Sequence, residues 1–253
     1  MAMDHKASVR NEVFAVLRTV AYPDSRFHFD FGEFIADFQG SEQAVQRLVE
    51  HPFYRNAQTI FITPDNCLEQ LRYRALCDGK AVLTTSYSIK RGFWLLRAQD
   101  IAAEKRLYAS TLDGMERVGR QLTLQQIAEE LPPIDYLVTG TGAINEEGVR
   151  FGKGHGFFDA EWGMLHRMGR IDTTTPVAAV VHDCQVLSQE LYPEIFDTVA
   201  DVIFTPTRTL EVVAPHKPDC GIVWPLLDPH MLETIPPLQE LEGLEARGLV
   251  GGR

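Results

Sequence analysis

Positive charge is scarce in this chain. Its 24 lysines and arginines face 35 aspartates and glutamates, for a formal net charge of −11. That balance argues against wholesale binding to nucleic acid or to an anionic membrane, while leaving room for a local basic pocket that takes an anionic ligand. No apolar run comes near the roughly 18 residues needed to span a bilayer. The opening "MAMDHKASVRNEVFAVLRTV" has no apolar stretch of signal-peptide type. The four cysteines, Cys67, Cys77, Cys184 and Cys220, include no Cys-x-x-Cys pair. Free thiols and a cytoplasmic location are therefore expected. No His-x-His or His-x-x-x-His spacing occurs, which weighs against a dedicated transition-metal site. Internal repeats and low-complexity linkers are also missing, so nothing marks a domain boundary.

What the chain does have is 253 residues of which 45% are hydrophobic, enough to bury a large core without cross-links. One α/β domain over residues 1–253 is the simplest organisation. Residues 1–40 would be an N-terminal helix and a packed loop, and residues 225–253 a C-terminal extension. Val9, Val13, Val16 and Leu17 fit one face of a helix over residues 4–18. Ser41 reads as the N-cap of a second helix, and Asn66 with Glu69 has capping-box spacing for a third, closed by Gly79. Thr123 with Gln126 repeats that spacing. Strands are expected at "QTIFIT" (58–63), "KAVLTT" (80–85), "GFWLLR" (92–97) and "DYLVTG" (135–140), and also at "PVAAVVH" (176–182), "DVIFTP" (201–206) and "CGIVW" (220–224). Several have no polar face, as when both faces of a sheet are covered. Strands alternating with helices predict an α/β fold with a mostly parallel sheet.

The stretch whose composition points most directly to chemistry is "RFGKGHGFFD", residues 150–159. Glycines at every second position, Gly152, Gly154 and Gly156, let backbone N–H groups approach an anion. A helix starting at Phe157 would add its free N–H groups and positive end. Arg150 and Lys153 add full charge. The pattern is neither a Walker A loop nor a complete dinucleotide fingerprint. From the residues alone it is either a phosphate cradle or a glycine-rich turn. Lys6 and Arg10, four apart, are either a solvated basic face or part of the same site. His182 reads as a hydrogen-bonded residue at the end of a buried strand, and Cys184 as a buried thiol. Phe157, Phe158 and Trp162 fit a helix face packing inward.

The segment "IDYLVTGTGAINEEGVRFGKGHGFFDAEWGML", followed by "PVAAVVHDCQVL" and "PEIFDTVADVIFTPTR", resembles the 5-formyltetrahydrofolate cyclo-ligase (methenyltetrahydrofolate synthetase) family. Lys6 and Arg10 have the Lys-x-x-x-Arg spacing of that family's first helix. The pieces "GKG-x-G", "HDCQV" and "TPTR" are similar to its divergent methenyltetrahydrofolate synthetase domain-containing branch. The resemblance implies a three-layer α/β sandwich like that of the sugar-phosphate isomerases and CoA-transferases. It also implies an ATP- and Mg²⁺-dependent ligase that closes 5-formyltetrahydrofolate to 5,10-methenyltetrahydrofolate, working as a monomer or homodimer on a folate or related heterocycle, with no nucleic-acid or membrane partner. Carried over, Arg150, Lys153 and His155 would serve catalysis. Lys6, Arg10, Gly152, Gly154, Gly156, Phe157 and Phe158 would hold the nucleotide side, and Asp159 and Asp183 the metal. The family's paired tyrosines are Phe157 and Phe158 here, its lysine between the last two glycines is His155, and its Glu-x-Asp-Thr stretch is not reproduced by "PDNCLEQL". The phosphate half of the site is thus expected to be kept and the folate half to be rewritten. The alternatives are a non-catalytic nucleotide- or folate-binding protein, or a related enzyme acting on another phosphorylated or heterocyclic substrate.

Overall fold

The computed structural model describes residues 2–250, with side chains described from Ala7 onward. The chain starts in helix α1 (Ala2–Leu17) and runs through a long aromatic strap to α2 (Ser41–Glu50) and α3 (Pro52–Asn56). Strand β1 (Thr59–Ile62), α4 (Glu69–Cys77), β2 (Ala81–Thr85) and β3 (Phe93–Arg97) follow. Next come α5 (Arg106–Ser110), α6 (Leu112–Val118), β4 (Arg120–Leu122), α7 (Leu124–Glu130) and β5 (Tyr136–Thr139). The short strands β6 (Ala143–Asn145) and β7 (Arg150–Phe151) lead to α8 (Phe157–Arg167) and β8 (Val177–Val180). The chain closes with β9 (Val186–Leu187), β10 (Val202–Phe204), β11 (Thr209–Glu211), α9 (Pro229–Thr234) and α10 (Pro236–Ala246).

Eight strands form one sheet in the order β11-β10-β8-β5-β1-β2-β3-β4. The run from β10 to β2 is parallel; β11 and β3 run antiparallel to it, and β4 pairs antiparallel to β3. The two-residue period of a strand divides its side chains between two cores. Phe61, Leu83, Leu137, Ala179 and Ile203 face the side that carries α7, α8 and α10. Ile60, Ile62, Val82, Tyr136, Val138 and Phe204 face α2, α4 and α5. This is the expected three-layer α/β sandwich. A small second sheet, β7-β6-β9, stands beside it.

Local expectations fail where tertiary contacts override them. Ser41 is the first helical residue rather than the cap. Gly40 takes the cap in a left-handed conformation at φ 85°, and a Cβ there would lie 2.8 Å from Pro206. The capping box at Asn66 does not form, because the Asn66 amide is drawn away to donate to Asp24 at 2.9 Å, and a short 3₁₀ turn precedes α4. The box at Thr123 and Gln126 does form. "CGIVW" is not a strand; a 3₁₀ turn over Trp224–Leu226 follows it, and the edge position is filled by β11 instead. On α1, Val9, Val13 and Leu17 are buried, but Val16 is exposed.

Strand order also fixes where a ligand can enter. From β1 the chain steps to β2 on one side, whereas from β5 it steps to β8 and then β10 on the other. The crevice between the carboxyl ends of β1 and β5 is therefore the topological switch point, where α/β sheets of this kind bind ligands.

Candidate functional site

Two turns flank that crevice, Thr63-Pro64-Asp65 after β1 and Gly140-Thr141-Gly142 after β5. The Asp65 carboxylate bridges them, accepting the Gly140 N–H at 2.8 Å and the Thr63 hydroxyl at 2.6 Å. The approach demands glycine, because a Cβ on Gly140 would fall 2.7 Å from Ile35 and 2.9 Å from the Cys67 sulfur. Beneath the turn, the buried Arg72 guanidinium donates to the carbonyls of Thr63, Asp65 and Ser110. Burial pushes the Asp65 carboxyl up, against the hydrogen bonds from Thr63 and Gly140 that stabilise its charge.

The glycine loop hangs from β7. Arg150 is nearly closed off, with 4% of its side chain exposed, and pairs with Asp159, whose side chain is 14% exposed. Its guanidinium lies 4.3 Å from the centre of the Phe158 ring, and its Nε has no partner. Asp159, in the first turn of α8, also accepts the Thr198 N–H at 2.8 Å. Burial raises the Asp159 carboxyl, opposed by the charge of Arg150. Arg150 thus clamps the two ends of the loop together.

Between those ends the backbone is open. A Cβ built on Gly152 or Gly156 meets nothing within 4 Å. Gly154 sits at φ 109°, and a Cβ there would lie 3.1 Å from Nη2 of Arg10. Helix α1 therefore places the Arg10 guanidinium directly over the loop, and burial lowers its pKa. A cavity of about 450 Å³ opens alongside, lined by Arg10, Phe14 and Arg18 of α1, by Phe29 and Phe31 of the strap, and by Lys153. Lys6 belongs to α1 as well, but its side chain lies outside the described residues. Gly156 caps α8 at φ 69°.

The remaining expected residues are placed differently. Lys153 borders the same cavity as Arg10, but its ammonium donates to the Glu33 carbonyl at 2.8 Å and lies 5.0 and 5.2 Å from the ring centres of Tyr87 and Phe157. His155 is exposed, with its ring 5.3 Å from that of Phe157. Phe158 is buried against Phe61, while Phe157 is half-buried. Asp183 accepts from the hydroxyls of Thr205 and Thr207, both at 2.6 Å. Burial raises Asp183, but these bonds bring it below the usual carboxylate range. His182 caps the turn after β8, accepting the Cys184 N–H at 3.2 Å, and burial pushes the Cys184 thiol up.

Two site residues escaped the sequence reading altogether. Asp65 follows β1 directly, and its position at a strand's carboxyl end was the available signal. Glu161 projects from the apolar face of α8 shared with Phe158, Trp162 and Leu165, and only 2% of it is exposed. Its carboxyl accepts the Thr85 hydroxyl at the end of β2. Burial pushes it up to about 8, with Asp65 adding to the rise and Arg150 and Lys153 opposing it. A carboxylate on an otherwise apolar face was the mark to follow.

The comparisons with known proteins bear on this geometry. The profile of the 5-formyltetrahydrofolate cyclo-ligase family matches residues 2–206. The chain is 31% identical over 215 residues to a methenyltetrahydrofolate synthase domain-containing protein of Homo sapiens, and 30% identical over 215 residues to its counterpart in Danio rerio. Each alignment covers 83% of this chain and 55% of the relative, so the chain spans about half the length of the curated relatives it matches. Among solved structures, Aquifex aeolicus 5,10-methenyltetrahydrofolate synthetase shares the fold, with a TM-score of 0.51 at 16% identity over 84% of this chain and 95% of that one. The family match extends from α1 through the glycine loop and α8 to the end of β10, and so takes in every part of the site just described: this chain belongs to the 5-formyltetrahydrofolate cyclo-ligase family.

Proposed function

We propose that this chain is an ATP-dependent ligase of the cyclo-ligase type, acting on 5-formyltetrahydrofolate or a closely related N-formyl heterocycle. The observation that carries the reading is the meeting of Arg10 with Gly154, above a loop whose other glycines face open space. In this reading the loop N–H groups and Arg10 hold the nucleotide phosphates. The formyl oxygen attacks the terminal phosphorus and ADP leaves. N10 then attacks the activated carbon, a C–N bond forms, phosphate departs with the former formyl oxygen, and the N10 proton is released. Charge stabilisation of the transferring phosphoryl group is the main demand on the protein. Arg150 meets it indirectly, by holding the loop closed onto Asp159. In this reading His155, exposed on the loop, shields the phosphoryl oxygens.

A metal held by the chain's own carboxylates is not supported. Among the described residues no group of three or more His, Cys, Asp or Glu side chains is placed to hold one. Asp159 is taken by Arg150 and Thr198, and Asp183 by Thr205 and Thr207. Magnesium enters this proposal only with the nucleotide, whose phosphates supply most of its ligands.

The switch-point crevice, with Asp65 and Glu161, is the side left for the heterocycle. The test is ADP release that depends on 5-formyltetrahydrofolate, run beside thermal stabilisation by ATP with Mg²⁺. Arg10→Met should suppress both. Neither ADP release nor stabilisation in the unaltered chain would sink the reading. Stabilisation without turnover would favour a non-catalytic binding protein, a reading supported by the replacement of the family's paired tyrosines with Phe157 and Phe158.

A further inference from the structure

The lysine of the glycine loop is spent on a different contact from the one its motif suggests. Its ammonium is fixed by a backbone carbonyl, that of Glu33, which also accepts the Tyr87 hydroxyl at 2.8 Å. Glu33 belongs to the strap over residues 18–40, whose aromatic side chains form a cluster of their own. Phe14 meets Phe31 edge to face at 5.4 Å, Phe31 meets Phe34 at 5.8 Å, and Phe27 stacks on Tyr87 at 5.4 Å. Arg26 lies over both Phe27 and Tyr87, at 4.9 and 5.0 Å. Elsewhere the strap is tied by Asn66, which donates to Asp24 and to the Ile35 carbonyl. Lys153 joins the loop to this wall through that Glu33 carbonyl.

We propose that Lys153 is a positioning residue that fastens the aromatic strap to the glycine loop, and not a phosphate ligand. Phosphate is held by Arg10 and the loop backbone. Lys153 spends its charge on the wall that encloses the second reactant, so that the two halves of the site are held in register through one ammonium group. Burial lowers the Lys153 pKa, while the Asp65, Glu33 and Glu161 carboxyls favour its charged form. Its ring contacts with Tyr87 and Phe157 are of the cation–π kind, which strengthen when desolvated.

The test compares Lys153→Met with Lys153→Arg and Arg10→Met in the full chain. Amide hydrogen exchange over residues 27–35 reads the strap directly, whatever the chain's reaction. Lys153→Met should speed exchange there by about tenfold or more, as expected when a local closure loses one of its few ties, and Lys153→Arg should restore protection. Unchanged strap exchange in Lys153→Met overturns the inference. The second measurement, which rests on the nucleotide reading, is ATP affinity by titration calorimetry. Lys153→Met should leave it within about twofold, whereas Arg10→Met should weaken it about tenfold or more, the usual gap between a remote and a direct charge-assisted contact. An equal loss in both variants makes Lys153 a phosphate ligand and overturns the inference. If the unaltered chain binds no ATP, the nucleotide reading falls by itself, and strap exchange alone decides the role of Lys153. Where turnover of 5-formyltetrahydrofolate is measured, the effect of Lys153→Met should appear in KM for that reactant and not in KM for ATP.

Discussion

Removing Arg150 gives the most demanding check on how the glycine loop is held. Arg150→Ala would leave the Asp159 carboxyl in place with its opposite charge gone. Both partners are largely closed to solvent, at 4% and 14% side-chain exposure, so little screening is available. Breaking such a pair from one side costs about 3–5 kcal/mol, because a buried charge is left uncompensated. The Thr198 N–H still bonds Asp159 and should keep the loss toward the lower figure. The loss should also depend on pH. Burial already raises Asp159, and without Arg150 it rises further. A carboxyl whose pKa is higher folded than unfolded favours the folded state at low pH, and that contribution disappears as pH climbs through the folded value. Arg150→Ala should therefore be least destabilised at low pH, where Asp159 is protonated, and increasingly destabilised as pH climbs through the raised folded value of that carboxyl. Urea denaturation at several pH values reads this directly, and Arg150→Ala/Asp159→Asn closes the double-mutant cycle. The double variant should recover a good part of the loss and show no such pH slope. A loss below about 1 kcal/mol, the range of exposed pairs, or strict additivity of the two changes, would refute the clamp.

Glu161→Gln tests the buried carboxyl on α8. With Glu161 pushed up to about 8 by burial, the folded chain should lose stability as pH rises from its unfolded value, about 4.5, through 8. Glu161→Gln should flatten that slope and be more stable than the parent at pH 9, by about 1 kcal/mol or more, as measured by chemical denaturation. Gly40→Ala should lower the melting temperature and cost about 1–3 kcal/mol, since it combines a left-handed backbone with a close contact to Pro206; an unchanged melting temperature would contradict the cap assignment. Gly154→Ala should impair ATP binding and also cost stability, because its φ of 109° is strained for any side chain and a methyl group there presses on the Arg10 guanidinium. Calorimetric titration beside thermal melting separates the two effects, and unaltered ATP affinity would count against the cradle.

Much of the architecture was legible because it follows from local rules. The buried runs of β5, β8 and β10 have no polar alternation, and only a sheet covered on both faces makes sense of them. The Thr123 capping box is complete within four residues and could be read as it stands. The failures share a physical cause. Asn66 has the right spacing for a cap, but a stronger claim on its amide comes from Asp24, far back in the chain. Lys153 has the composition of a phosphate contact, but its direction is set by Glu33 and Tyr87, which no spacing rule connects to it. Asp65 and Glu161 belong to separate segments that meet only because the strand order turns at β1 and β5. Chemistry that depends on one segment was visible; of the chemistry that crosses segments, only the meeting of Arg10 with the glycine loop was anticipated, and that through the family resemblance.

The docking of α1 has a consequence for how the chain is made. Val9 and Val13 find their partners in Ala143, Val149, Phe151, Leu191 and Val199, all far downstream. During synthesis, at roughly 5–20 residues per second, α1 emerges well before the surface it covers and must wait many seconds for it. Its apolar stripe stays without cover while β1, β2 and β5 assemble beside it, and Arg10 reaches the glycine loop only once residues near 199 are in place. The phosphate side of the site thus closes late, although Arg10 is made well before the surface that seats its helix. Substitutions that weaken the α1 seat should show themselves first as poor yield during expression, before any defect appears in the folded protein.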